Sequence, residues 1–127
     1  MHGRTIKRGR GAGPVLFSPA PISFFGGIDL ERGVVSEPGH PLHGQSIAGR
    51  VLVFPHGKGS TVGSYALLRL ARNALAPAAI VIRRCETIVA VGAIIAGIPC
   101  VDLIDIDRLA QVDSAIVEDG VVSWADD

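Results

Sequence analysis

The sequence is short of cysteine, of aromatic residues and of any charge imbalance, and each shortage removes a class of protein. Cys85 and Cys100 are its only cysteines. They lack the CxxC spacing of a zinc or redox motif, and two thiols fall below the three or four that a cubane cluster needs. Both lie in apolar segments, VIRRCETIV and AGIPCVDL, the setting of buried structural thiols in a cytoplasmic protein. Lys+Arg and Asp+Glu each number 12, so no overall cationic field draws nucleic acid. The longest apolar run, Ile88 to Val101, is interrupted by Pro99 and is shorter than the roughly 20 residues of a spanning helix, which argues against a membrane. The basic start runs into Gly and Pro, so no secretory signal is read. With aromatics at 5%, the core has to be built from Val, Ile, Leu and Ala.

Hydrophobic residues at 48% against 19% charged indicate a globular chain, and 127 residues suit one domain. Arg4, Lys7, Arg8 and Arg10 make the first ten residues basic. They read as a mobile, solvated terminus, with contact to an anionic ligand or a partner as the other reading. Pro14 to Phe17 could be a strand, and the segment around Gly26-Gly27, Asp29 and EPGHPLHGQS is rich in turns. From Arg50 the pattern changes. RVLVFP, AAIVI and Ile98 to Val101 read as buried strands. Between them, Thr61 to Leu75 and Glu86 to Ala96 read as helices, with Gly97 as a C-cap. This is the order of two βαβ crossovers. SAIVEDGVVSW is a hairpin about Asp119-Gly120. The sum is an α/β domain with a β-rich first half.

Chemistry concentrates where a strand passes into a helix through HGKGST. Gly57 and Gly59 allow close approach of a ligand to the backbone. Ser60 falls at the N-cap or first turn, where it either caps the helix or binds an anion and exchanges a proton. A phosphate-binding P-loop is excluded, because Gly59 follows Lys58 where Ser or Thr is required and Leu52 stands where the first glycine should. His40 and His43 supply half a metal site at best. His56 is better placed for substrate contact, or as the acceptor of a phosphohistidine-type swivelling carrier domain.

GGID at 26–29, EPGHP at 37–41, GKGS at 57–60 and GIP at 97–99 together resemble the small subunit of the aconitase X family, over about residues 11 to 125. The resemblance implies an aconitase-like swivelling β/β/α domain, a mixed sheet or barrel-like core with flanking helices. It implies a hydro-lyase inactive without a large subunit that holds a [4Fe-4S] cluster, whose open iron would act as Lewis acid on the departing hydroxyl of a small hydroxy-acid substrate. The family includes archaeal two-subunit enzymes acting on 5-phosphomevalonate, in isoprenoid biosynthesis, and bacterial enzymes acting on cis-3-hydroxy-L-proline. A free-standing chain favours the former, with the latter or another hydroxy acid as the alternative. Carried over by position in GKGS, the family's active-site serine is Ser60, the base. Gly57, Lys58, Gly59, Thr61 and Ser64 become substrate-binding or loop-supporting residues. Asp29 either faces the site or accepts backbone N–H bonds in a turn.

Overall fold

A computed structural model describes residues 1–125. In chain order its elements are β1 (Arg4–Lys7), β2 (Arg10–Phe17), a kinked helical turn α1 (Phe24–Gly27), β3 (Ile28–Asp29) and β4 (Val34–Val35). They continue with β5 (Val51–Phe54), α2 (Gly63–Arg72), β6 (Ala79–Ile82), α3 (Thr87–Ala96), β7 (Cys100–Asp102), a 3-10 turn (Ile106–Leu109), β8 (Ser114–Glu118) and β9 (Val121–Ser123).

The two apolar runs become the parallel strands β5 and β6, with β7 beside β6 and the second half of β2 beside β5. Every residue of β5 and β6 is buried, as expected of strands covered on both faces. Leu52, Phe54, Ile80 and Ile82 pack toward α2 and α3 with Leu67, Leu70, Val89 and Ala93. Val51, Val53, Ala79 and Val81 point the other way and pack on Leu109, Val117 and Val122. The sheet order is β1-β7-β6-β5-β2-β8-β9, with β1, β8 and β9 running antiparallel to their neighbours. It curls until the residues preceding β1 meet β9 and its turn. Met1 N–H donates to Val122 O at 2.7 Å, Val122 N–H to Met1 O at 2.8 Å, and Gly3 N–H to Gly120 O at 2.9 Å.

The sheet curls this tightly because small residues line the bend. A Cβ added at Gly11 would lie 1.9 Å from Ala78 O, and one at Gly13 would lie 2.4 Å from Gly49 O.

Two expectations are corrected. The basic start is not a mobile tail: β1 pairs with β7, and Arg4 holds the fully buried Asp102 through Nε at 2.9 Å and Nη2 at 2.7 Å. The hydrogen bonds to Asp102, and then its charge, raise the Arg4 pKa above its ordinary value. Arg10 pairs with Glu118 at 3.2 Å, both side chains mostly in solvent. Arg4→Ala leaves a buried carboxylate without its cation and is expected to lower the melting temperature by several degrees. Arg10→Ala should stay close to the parent, because exposed pairs contribute little; a thermal melt of the two variants checks this. The second correction concerns the first long helix, which is shorter than Thr61 to Leu75. It begins at Gly63 because residues 60–63 form a separate turn. It stops before Pro77 because Ala74 takes a left-handed φ of 58° and Leu75 N–H donates back to Leu70 O at 2.8 Å. α3 follows its reading closely: both carboxylate oxygens of Glu86 cap it, and Gly97 closes it at φ 71°.

Candidate active site

The loop after β5 is fixed from two sides. On one side, Ile22 N–H donates to His56 O at 3.3 Å and Lys58 N–H donates to Ile22 O at 3.1 Å. On the other, Gly57 is pressed against the start of α3. A Cβ there would lie 2.6 Å from Glu86 Oε1 and from Val89 Cγ2, so the position admits only glycine without rearrangement. Gly59 has φ 99°, and a Cβ there would sit 2.8 Å from Ser23 Oγ. That hydroxyl donates to Phe25 O at 2.7 Å.

Ser60 emerges from these constraints exposed to solvent. Its carbonyl accepts from Gly63 N–H at 2.9 Å and its Oγ from Val62 N–H at 3.2 Å. It therefore heads a tight turn in front of α2 rather than capping the helix itself, whose N-cap residue is Val62. The chemical consequence is the same as for a cap. An amide proton at the positive end of a helix points at the serine oxygen and favours negative charge on it.

The other motifs converge here. Lys58 Nζ is paired with Glu37 Oε2 at 3.1 Å. Glu37 N–H in turn donates to Gly27 O at 3.3 Å, which also accepts from Ser36 N–H at 3.0 Å. His40 is buried, with Nε2 donating to Pro21 O at 2.9 Å while Nδ1 accepts from Leu42 N–H at 3.0 Å. GGID, EPGHP and GKGS thus form one frame around the Ser60 loop. GIP stands outside it, closing α3.

The sequence-derived residues divide accordingly. Gly57, Lys58, Gly59, Ser60 and the exposed Thr61 lie together along the loop. Ser64 is corrected to a helix-packing residue: it is buried and its hydroxyl donates to Ile88 O at 2.7 Å, tying α2 to α3. Asp29 takes its turn role, accepting at Oδ1 from Glu31 N–H at 3.0 Å and Arg32 N–H at 3.2 Å. His40 has both ring nitrogens engaged and is no metal ligand. His56 is exposed, and its Nδ1 donates to Gly57 O at 2.8 Å. Sequence reasoning missed Ser23, Glu37 and Glu86. Glu37 opens the EPGHP motif, which was a signal; for Ser23 and Glu86 the contacts are between distant segments and leave no local pattern.

Among the described residues no three His, Cys, Asp or Glu side chains converge as metal ligands. Cys100 is buried, and the neighbouring Cys85 thiol, followed by burial, pushes its pKa far above the ordinary thiol range. It stays a neutral thiol. No helix of the described residues is long and apolar enough to cross a membrane.

Comparison with known proteins gives the same answer from several directions. The aconitase X swivel domain family matches residues 1–123. A phosphomevalonate dehydratase small subunit from Methanothermobacter thermautotrophicus is 52% identical over 113 residues, covering 89% of this chain and 86% of that one. A protein of the same name from Methanosarcina mazei is 58% identical over 107 residues, covering 84% of this chain and 74% of the relative. The crystal structure of Thermococcus kodakaraensis aconitase X in its holo-form superposes with a TM-score of 0.95 at 46% identity, over 98% of this chain and 97% of that chain. The curled mixed sheet with its flanking helices and the sequence match agree: the chain belongs to the aconitase X family, as its swivel domain.

Proposed function

We propose that this chain is the small subunit of a two-subunit dehydratase acting on 5-phosphomevalonate, and that Ser60 is its base. The reading is carried by relatives at about half identity over most of the chain, all named phosphomevalonate dehydratase small subunits. The geometry of the GKGS loop supports the assignment of Ser60. The reaction removes a proton from the carbon next to the substrate carboxylate and hydroxide from the neighbouring carbon, leaving a carbon–carbon double bond and one water.

Ser60 takes the proton. The Val62 amide and the start of α2 stabilise the serine oxygen while it lacks its own proton. Gly57 and Gly59 let the loop pack against Glu86 and Ser23, which sets the position of Ser60, and the Lys58–Glu37 pair holds the loop in register. Thr61, exposed next to Ser60, is a polar side chain available to the substrate.

The aconitase-like family indicates an iron–sulfur enzyme, but the residues of this chain do not fit a cluster. Cys100 is buried as a neutral thiol, Cys85 is half-buried, and among the described residues no three His, Cys, Asp or Glu side chains converge as ligands. Departure of the hydroxyl is therefore assigned to the large subunit, which in this reading carries a [4Fe-4S] cluster.

Co-expression of the chain with its large subunit tests the assignment. A brown complex should form and convert 5-phosphomevalonate to trans-anhydromevalonate 5-phosphate, with cis-3-hydroxy-L-proline turned over poorly. Preference for hydroxyproline would overturn the substrate, and failure of any complex to form would overturn the subunit reading.

A further inference from the structure

We propose that the outer face of α2 and α3, edged by Phe25, is the surface on which the large subunit seats. The inference rests on the small-subunit reading above. Helix α3, TIVAVGAIIA, contains no charged residue. A helix that is apolar all round belongs in an interior, yet Thr87, Val91, Ile94 and Ile95 form an outward stripe at i, i+4, i+7 and i+8. Ile94 is 52% exposed. Beside the stripe stands Tyr65 of α2, 69% exposed, a residue type enriched where proteins meet. The two helices are held close at Gly92, where an added Cβ would lie 2.6 Å from Leu67 Cδ1. Between them runs an apolar groove of about 250 Å³, lined by Thr61, Ser64, Tyr65, Thr87, Ile88 and Val91.

Eight large apolar side chains are exposed among the described residues, and six of them belong to this side: Phe25, Val62, Tyr65, Val91, Ile94 and Ile95. Scattered exposed apolar residues need no explanation, but a gathered set marks an interaction surface.

The occupant follows from where the groove begins. Thr61 lines it, and Thr61 is the residue after Ser60. Ser60 is exposed, so a substrate bound there is enclosed only by a body lying across the loop. That body carries the rest of the active site, and it continues directly onto Val62, Tyr65 and α3. A second copy of this chain seated on the same face would block Ser60 in each protomer.

The test measures binding of the purified large subunit from the same source to variants of this chain. Tyr65→Ala and the double variant Val91→Glu/Ile95→Glu should each weaken the affinity by about tenfold or more. Ile116→Lys, a change at an exposed residue of β8, should bind as the parent. At large-subunit concentrations that saturate the double variant, its kcat should return to the parental value, which separates docking from the chemistry at Ser60. Hydrogen exchange on the unaltered pair should show protection at 62–65 and 87–95 on complex formation; this reading stands even if the double variant fails to fold.

Parental affinity of both variants, or absence of that protection, overturns the docking surface and leaves the dehydratase reading intact. If the isolated chain instead dimerises through this face, and Val91→Glu/Ile95→Glu makes it monomeric without weakening its hold on the large subunit, the proposal also falls. If the unaltered pair forms no complex, the small-subunit reading falls with it.

Discussion

Ser60→Ala, assembled with the large subunit, should lose about 10²- to 10⁴-fold in turnover, the range general-base catalysis contributes, with little change in assembly. The oxygen removed is the one that accepts from Val62 N–H at 3.2 Å, so two effects are mixed in this variant. Loss of a hydroxyl that accepts one turn N–H costs roughly 0.5–1.5 kcal/mol of stability and by itself leaves the chemistry untouched. Ser60→Asn separates them, because an amide oxygen still accepts from the turn but takes no proton from carbon. The expected outcome is that Ser60→Asn melts near the parent and is as inactive as Ser60→Ala. Near-normal turnover by either variant would remove Ser60 from the role of base. Rates under substrate saturation, measured beside thermal melts, give both readouts.

The largest loss of stability is expected at Gly11, far from the loop. A Cβ there would meet Ala78 O at 1.9 Å and Ala78 C at 2.7 Å. Both contacts are backbone, so no side chain can swing away, and β2 must move off the segment leading into β6. Overpacking a fitted interior costs about 1–3 kcal/mol and occasionally more. The immobility of a carbonyl puts Gly11→Ala at the upper end, about 3 kcal/mol, a large share of the roughly 5–15 kcal/mol that holds a domain folded. Gly39→Ala is the comparison. It has a left-handed φ of 76° but nothing within 4 Å of an added Cβ, so it should cost only about 1 kcal/mol. Urea denaturation of the two variants measures the difference; equal midpoints would show that β2 can yield at Gly11.

That glycine also marks where the sequence became hard to read. The glycines that follow the basic start carry no local pattern: Gly11 is justified only by the backbone of Ala78, about 67 positions later, and Gly13 by that of Gly49. β1 is similar: four residues make a strand only because β7 offers a ladder and Asp102 a buried carboxylate. β3 and β4, two residues each, carry no periodicity at all. By contrast β5, α2, β6, α3 and β7 are legible because each is paired with or packed against its neighbour in sequence. Runs such as VLVF and AIVI, separated by helical stretches, have few other solutions. The hairpin is legible from Asp119-Gly120 alone, which takes φ of 46° and 85°.

The site shows the same division. The glycine loop and the place of Ser60 at its end were legible because a strand, a glycine loop and a helix follow one another directly. Ser64 was misread because one turn into a helix a serine has the right spacing for a site, and only the partner helix shows that its hydroxyl is spent on Ile88. Asp29 was open between two roles, and the hairpin it nucleates decides for the turn. Glu37 reaches Lys58 across 21 positions, a contact no spacing rule announces.

The seam where Met1 meets Val122 has one more consequence. Residues 1–3, which lead into β1, bond to β9 and its turn, so the two edges of the curled sheet are bridged at one end by a short stretch of backbone. A disturbance of that seam therefore has no direct bond by which to reach the Ser60 loop, which is held instead at Ile22 and against Glu86.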